Sequence, residues 1–366
     1  MNPRARITFR NDAEKVAYVR REVNAASDAI RARFPLLDNQ NLVGAGVMAA
    51  CVAAMLAIAW LYARGTLAWY VALPLAAFAT SLIHELEHDL IHLMYFRKTP
   101  WAYHLMMALC WLTRPGTINP WTRRRMHLHH HKVSGGESDL EEFGITNGER
   151  WGVKRLLMLA DGMLAVVLRP DAMRRKVKQY VAAQPVQDAA ERTQLRVEQV
   201  SSYMPVGHLY YALWHAFIVY HVGLFALGAL GHPVAVPAIV ERAMHVVDFL
   251  AVVWLGPNFV RSFCINFVSS NMHYFGDIDS RNVIQQTQVL NPWWMLPFQL
   301  FCFNFGSTHA IHHFVVRDPF YIRQLTASTA HAALREVGVR FNDVGTFARA
   351  NRWGSYRPAR DGQADL

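Results

Sequence analysis

The chain alternates between long apolar runs and polar segments rich in charged residues. An unbroken apolar run of 21 residues covers 43–63, which at about 1.5 Å per residue is long enough to cross a hydrocarbon core of about 30 Å. A second apolar run covers 67–83 and continues into a polar, histidine-rich sequence. The turn at Arg64 and Gly65 joins the two runs, so they predict a helical hairpin that returns the chain to its starting side.

Two further spans are predicted in the second half of the chain. The run 209–230 is apolar apart from two histidines, whereas 246–267 is interrupted by Asp248, Pro257 and Arg261. A fourth span leaves the outer loop short and poor in lysine and arginine, as the positive-inside rule expects. The predicted fold is an all-α integral membrane protein with four transmembrane helices, interfacial helices and a cytoplasmic helical cap.

Three regions follow from this organisation. Residues 1–42 are polar and arginine-rich, with no pattern typical of a signal peptide, and are expected to stay in the cytoplasm. Residues 43–326 form the predicted membrane domain, and 327–366 a polar cytoplasmic tail. The apolar segment 101–113 is too short to cross and is expected to lie at the interface.

Composition agrees with a membrane protein that has a sizeable aqueous part. Hydrophobic residues make up 53% of the 366 positions and charged residues 17%. The four cysteines form no CxxC pair, which argues against a disulfide framework or a thiolate zinc site. The net charge is +10, and the basic residues flank apolar segments. This pattern indicates attraction to anionic lipid head groups. No nucleic-acid partner is predicted.

Histidine clusters are the main chemical signal. The chain has 18 histidines. His84 and His88, in the sequence HELEH, stand at positions i and i+4 and therefore share one face of a helix. His92 lies a further turn along on a similar face, and no role is assigned to it. In the four-span topology this cluster lies on the cytoplasmic side.

Two later clusters repeat one spacing. Each has the form HxxHH, which places three imidazoles at i, i+3 and i+4 on one helical face. Two such copies are improbable by chance, and a single histidine follows the predicted fourth span. Nine imidazoles are too many for one ion and suit two, which imidazole chemistry allows to be Fe, Cu, Ni or Zn. The nine candidate ligands are His84, His88, His127, His130, His131, His273, His309, His312 and His313.

These boxes resemble those of membrane fatty acid desaturases and the related lipid hydroxylases, which carry HxxxH, HxxHH and HxxHH boxes with a lone histidine between the last two. The resemblance implies two iron ions held by the nine histidines, O2 as co-substrate, and a membrane lipid or acyl chain as substrate. In stearoyl-type members an asparagine four residues before the lone histidine assists through a water. Ser269 occupies that position here, and Asn271 is offset from it.

The resemblance also implies an external source of two electrons, because the chain contains no haem-binding segment, GxGxxG fingerprint or cysteine-ligated iron site. A donor of the ferredoxin, rubredoxin or cytochrome b5 type is expected. The absence of a fused donor favours a bacterial inner membrane, with both termini and the metal site in the cytoplasm.

Asp277 and Asp89 are the first candidates to accept the second N–H of a ligating imidazole.

Three alternatives to a desaturase remain open from the sequence. A lipid or alkane hydroxylase would use the same ligands. HELEH also satisfies the HExxH motif of zinc metalloproteases, but this interpretation leaves both HxxHH boxes unexplained. A histidine-rich metal carrier usually places its ligands within spans or in low-complexity loops, unlike the interfacial helices predicted here.

Overall fold

The computed structural model of the protein describes residues 8–354. Within this range the chain is helical and forms no β-strand, and its only β-type pairing consists of isolated bridges between His273 and Thr287 and between Val289 and Phe341. The prediction of an all-α fold is therefore confirmed for the described residues.

The first half of the fold contains nine α-helices. They are α1 (Asp12–Arg33), α2 (Gln40–Ala63), α3 (Trp69–Ile91), α4 (Pro100–Thr113), α5 (Pro120–Val133), α6 (Leu140–Gly144), α7 (Val153–Ala160), α8 (Gly162–Val167) and α9 (Pro170–Ala182). The remaining helices are α10 (Ala189–Val200), α11 (Val206–Ala229), α12 (Ala238–Leu250), α13 (Gly256–Met272), α14 (Val283–Gln286), α15 (Leu296–Leu300), α16 (Phe305–Phe314) and α17 (Phe320–Glu336). Short 3-10 turns cover Pro35–Asp38, Trp293–Met295 and Val344–Thr346.

Among the described residues, α2, α3 and α11 are the three helices long and apolar enough to cross a membrane. They correspond to the predicted spans 43–63, 67–83 and 209–230. The Asn39 side chain caps α2 by accepting a hydrogen bond from the backbone N–H of Leu42, which satisfies one of the free donors at a helix start. Three of the four predicted spans therefore coincide with suitable helices.

The predicted fourth span coincides with helix but does not meet the same criterion. Residues 246–267 lie within α12 and α13, and the intervening turn Ala251–Leu255 is wound as a π-helix. Such a turn widens the helix locally and commonly occurs at functional sites. Arg261, which interrupts the apolar run, lies fully buried on α13. A fourth membrane span at 246–267 therefore remains a prediction.

Helix α3 extends well beyond its apolar run. The predicted span ends at residue 83, and the helix continues out of it through His84 and His88, as the spacing of the first box predicts, and ends at Ile91. The residues of this extension are buried although they are polar, because they pack against neighbouring helices instead of facing water. The first histidine box is thus carried by a rigid continuation of a membrane-type helix.

The end of the chain packs against its beginning. The predicted boundary after residue 326 falls inside α17, whose buried Leu334 shares a core with Val19 and Val23 of α1. The region 327–354 is therefore part of the folded unit instead of a separate surface tail. The polar pattern hides this because only one face of each helix is apolar. Residues 1–7 and 355–366 of the predicted terminal segments lie outside the described residues.

Replacing Val23 with alanine should destabilise the protein, because Val23 is fully buried between α1 and α17. We expect a loss of about 1–3 kcal/mol from the missing contacts and the cavity they leave. Thermal unfolding of the purified protein measures this, with the exposed Asn24→Ala as the control on the same helix. Equal unfolding temperatures for the two variants would contradict the proposed α1–α17 core.

Candidate metal centre

Four segments bring histidines into one buried volume. Helix α3 ends beside α5, which carries the second box, and α16 carries the third. The lone His273 follows directly after the end of α13. The loop after α5 approaches this residue closely: Gly135 adopts a positive φ of 71°, and an added Cβ there would collide with the carbonyl oxygen of Tyr274. Glycine permits both the backbone conformation and the contact.

The histidines separate into two groups of four. In the first, one nitrogen each of His88, His92, His127 and His312 lie within 4.8 Å of one another. In the second, the same holds for His130, His273, His309 and His313. Both groups draw on the second and third boxes together, so residues about 180 positions apart share each group.

Distances inside the first group match a shared ion. The Nε2 atom of His92 is 3.0 Å from Nε2 of His127 and 3.0 Å from Nε2 of His312. Two nitrogens that each lie about 2.1 Å from one ion, at a right angle, are about 3.0 Å apart. His131 is close to the same set, since its Nε2 is 3.1 Å from those of His127 and His312.

The second group has a similar spacing, and all four of its histidines are buried. Nε2 of His309 and Nε2 of His313 are 3.2 Å apart. Nε2 of His130 and Nε2 of His273 are buried and have no hydrogen-bond partner among the described residues. A buried polar atom without a partner is costly. Both nitrogens would gain a partner from a metal ion, so the residues present fit such a group.

The opposite ring nitrogens are held by specific acceptors. Nδ1 of His127 is 2.9 Å from a carboxylate oxygen of Glu141, and Nδ1 of His130 is 2.9 Å from Asp139. Nδ1 of His313 lies 2.8 Å from the side-chain oxygen of Gln286. Each acceptor holds the Nδ1 proton and turns Nε2 towards the other histidines, which is the usual arrangement around a bound metal.

Burial and charge also suit metal binding. Burial lowers the pKa of His309 and His313 well below the usual value for histidine, so both imidazoles are neutral and able to bind a metal. Burial also works to lower the pKa of His130, but the carboxylates of Asp139 and Glu142 raise it to about 10. The surroundings of His130 therefore favour a positive charge at this position.

In the first box, the structure groups a different pair of histidines from the predicted one. His92, to which the sequence assigned no role, lies in the first group, whereas His84 lies in neither. Nδ1 of His84 is instead 2.9 Å from the Arg114 guanidinium. The signal was present in the sequence, because His88 and His92 also stand at i and i+4. The other eight predicted ligands lie in the two groups or, for His131, next to them.

Two predicted outer partners lie elsewhere. Asp277 accepts the backbone N–H groups of Trp353 and Gly354 and holds no ligand. Asp89 bonds Tyr95 and Arg323 and stands 3.9 Å from Nδ1 of His88. The acids that hydrogen-bond imidazoles of the two groups, Asp139 and Glu141, follow the second box by only a few residues. Their positions in sequence gave no reason to prefer them over other nearby acids.

The two residues near the lone histidine have local contacts. The carbonyl oxygen of Ser269 is 3.1 Å from Nδ1 of His273, while its hydroxyl is 3.4 Å away. The Asn271 side chain donates to the carbonyl of Phe267. Ser269 thus orients His273 through its backbone, and Asn271 supports the preceding helical turn.

Replacing Asp139 with asparagine should weaken metal binding in the second group. Asp139 accepts from Nδ1 of His130 and from the backbone N–H of Gly135 and Glu142, and loss of such an outer partner typically lowers metal affinity about 10–100-fold. Competition against a chelator measures this, with Asp188→Asn, a cap of α10 that contacts no histidine, as control. Unchanged metal retention in Asp139→Asn would refute this role.

A cavity of about 930 Å³ has His84 on its wall, one helical turn from His88. Its size is at the upper end of typical ligand sites. Apolar side chains such as Ile118, Met158 and Trp214 line much of it, and His84 lines the part that adjoins α3. The cavity can therefore hold an extended apolar molecule.

The fatty acid desaturase family matches residues 67–345 of the chain. This is more than half of the 366 residues, and the matched region contains every histidine of the two groups. No curated protein matches the chain significantly. The helical fold, the three membrane-type helices and the family match agree with one another. The chain belongs to the fatty acid desaturase family, whose members are oxidoreductases acting on lipid or acyl substrates.

Proposed function

We propose that the protein is a membrane-bound acyl-lipid desaturase with two iron ions in the two histidine groups. The observation that carries this proposal is the pair of buried four-histidine groups, with Nε2 atoms 3.0–3.2 Å apart. The histidines of the two groups would hold the ions, which when bound and reduced would supply, from O2, the oxidant needed to remove two hydrogens from an acyl chain. Imidazole ligands suit iron.

The proposed ligand set differs from the sequence-based one at a single position. His131 joins the first group as its fifth ligand, because its Nε2 is 3.1 Å from two members of that group. His84 is left out in favour of His92. The first iron would be held by His88, His92, His127, His131 and His312, and the second by His130, His273, His309 and His313.

The protein itself orients the ligands and excludes water. Asp139, Glu141 and Gln286 hold the Nδ1 protons of three imidazoles, so that their Nε2 lone pairs face the ions. Arg323 on α17 holds the extension of α3 that carries the first box, since it pairs with the carboxylates of Glu85 and Asp89. Substrate in the adjacent cavity would meet a centre that is already rigid.

The electrons would come from a separate protein of the ferredoxin, rubredoxin or cytochrome b5 type. We place the metal centre and both termini on the cytoplasmic side of a bacterial inner membrane, with the fourth span at 246–267. An acidic donor would dock on the basic protein surface, so activity should fall as ionic strength rises. Activity measured across a salt series with a saturating acyl substrate tests this; a flat response would argue against charge-assisted docking.

A hydroxylase is the second candidate, because the same ligands could support insertion of one oxygen atom.

The zinc protease interpretation has less support. Its catalytic base would be Glu85, which is buried and forms an ion pair with Arg323 at 3.1 Å. A carboxylate held in this way is not free to activate a metal-bound water.

The test is a product analysis with the purified protein. Iron-loaded enzyme, a reduced donor and labelled lipids are combined under O2, and acyl products are analysed by mass spectrometry. Loss of two hydrogens supports the desaturase, and gain of one oxygen supports the hydroxylase. Both reactions should disappear in His130→Ala and His312→Ala but persist in His232→Ala, an exposed histidine outside the groups. Two bound irons without any lipid oxidation would refute the proposed substrate class.

A further inference from the structure

Among the described residues, one buried guanidinium, that of Arg261, has no acidic partner and also leaves a donor unused. Arg261 on α13 is only 1% exposed. Its Nη2 donates to the neighbouring Ser262 hydroxyl, and its Nε has no partner among the described residues. Other buried arginines, such as Arg114 and Arg323, form ion pairs with glutamates. An unpaired buried charge is strongly unfavourable, and a negative charge placed beside it removes the penalty.

The unpaired group faces the cavity. Arg261 and His84 both line it. A guanidinium can only donate hydrogen bonds, so the contact between Arg114 and Nδ1 of His84 makes that nitrogen the acceptor and leaves the proton on Nε2. Nε2 of His84 is buried and has no partner in the described part of the chain. Two unused donors, one of them charged, therefore line the same space.

The neighbouring charges do not cancel Arg261. Arg114 and Arg123 both contact Glu87, and Arg123 also lies 3.7 Å from Glu141. These four residues carry two positive and two negative charges. Arg261 therefore adds one unbalanced positive charge to this end of the cavity, which matches a ligand with a single anionic group.

We propose that the cavity binds a single-chain amphiphile whose oxyanion head, a carboxylate or a phosphate, pairs with Arg261 and Nε2–H of His84. The alkyl chain lies against the apolar lining formed by Ile118, Met158 and Trp214. Because His84 is one helical turn from His88, the head binds at the end of the cavity that adjoins the metal centre. The proposal deepens the proposed acyl-lipid oxidation, on which the assignment of an alkyl chain rests.

The test measures binding, not turnover. Metal-loaded protein in nanodiscs of zwitterionic phospholipid is titrated with labelled hexadecanoate, hexadecyl phosphate or hexadecanol at alkaline pH, and empty nanodiscs provide the background. Wild-type protein should bind at least one anion about 10-fold or more tighter than the alcohol, as expected for a charged hydrogen bond. Preference for hexadecanoate indicates a fatty acid carboxylate, and preference for the phosphate indicates a lipid phosphate. Equal binding of the alcohol and both anions would overturn the proposal.

Variants locate the head group. Arg261→Gln should abolish the preference for the anion, Arg261→Lys should retain part of it, and His84→Ala should weaken it several-fold. Lys178 and Arg196 line the same cavity but are exposed, so Lys178→Gln and Arg196→Gln are matched controls with little expected effect. If these two variants lose the preference for the anion while Arg261→Gln keeps it, the ligand head group lies beside Lys178 and Arg196. The proposal then fails.

A stability measurement separates a ligand site from a structural role. Arg261→Met removes an unpaired buried charge, so the ligand-free variant should unfold at a higher temperature than the wild type. A lower unfolding temperature would show that Arg261 serves the fold instead. None of these readouts needs O2 or an electron donor. Anion binding without lipid oxidation would therefore contradict only the proposed reaction, and oxidation without anion preference only this inference.

Discussion

Replacing His92 with alanine should abolish acyl oxidation and remove about half of the bound iron. His92 lies between two other members of the first group, with Nε2–Nε2 distances of 3.0 Å to His127 and to His312. Loss of a ligand at the centre of one group should empty that group and leave the other intact. Metal analysis of the purified variant, together with acyl product analysis, measures both effects.

The matched control for His92→Ala is His84→Ala. His84 and His92 lie about one helical turn before and after His88. His84 contacts Arg114 and belongs to neither group, so this variant should keep both ions. If His84→Ala lost one ion and His92→Ala kept two, the first ligand pair would be His84 and His88 after all. The pair of variants therefore decides between the two assignments.

Replacing Arg323 with methionine should cost about 3–5 kcal/mol of stability, because it leaves two buried carboxylates without their cation. Arg323 lies 3.1 Å from Glu85 and 3.2 Å from Asp89, and all three side chains are almost fully buried. The extension of α3 that Arg323 holds also carries His88, so iron content should fall as well. Thermal unfolding and metal analysis record the two effects.

An exposed ion pair provides the comparison for Arg323→Met. Arg21 and Glu22 lie 3.1 Å apart, but their side chains are 68% and 38% exposed. Arg21→Met should change stability by less than about 1 kcal/mol, as is usual for surface pairs. A similarly small change in Arg323→Met would mean that the buried carboxylates are protonated or solvated, and that Arg323 does not hold α3 against α17.

Much of the fold could be predicted from hydrophobic runs, because an apolar stretch of membrane length has few alternatives to a helix. The two HxxHH boxes were equally informative, since their spacing places three imidazoles on one face. The continuation of α3 through His84 and His88 could be predicted from their spacing, but the burial of its polar residues could not, because the partners that cover them are distant in the sequence. The packing of α17 on α1 depends on contacts between residues about 310 positions apart.

Spacing alone does not identify which two histidines of the first box form the proposed ligand pair. His84, His88 and His92 repeat every four residues, so each neighbouring pair satisfies the same helical rule. Only the surroundings distinguish them: Arg114 contacts His84, while His127 and His312 contact His92. The same limit applies to Asp139 and Glu141, whose role depends on how the loop after α5 folds back.

The two histidine groups also make the cellular level of the protein depend on iron supply. Without ions, Nε2 atoms of several neutral imidazoles face one another at about 3 Å in a buried space, and those of His88, His130 and His273 have no partner among residues 8–354. Ions that bind only the folded state stabilise it by mass action. Iron-starved cells should accumulate less of this protein than iron-replete cells, because quality-control proteases degrade chains that open more often.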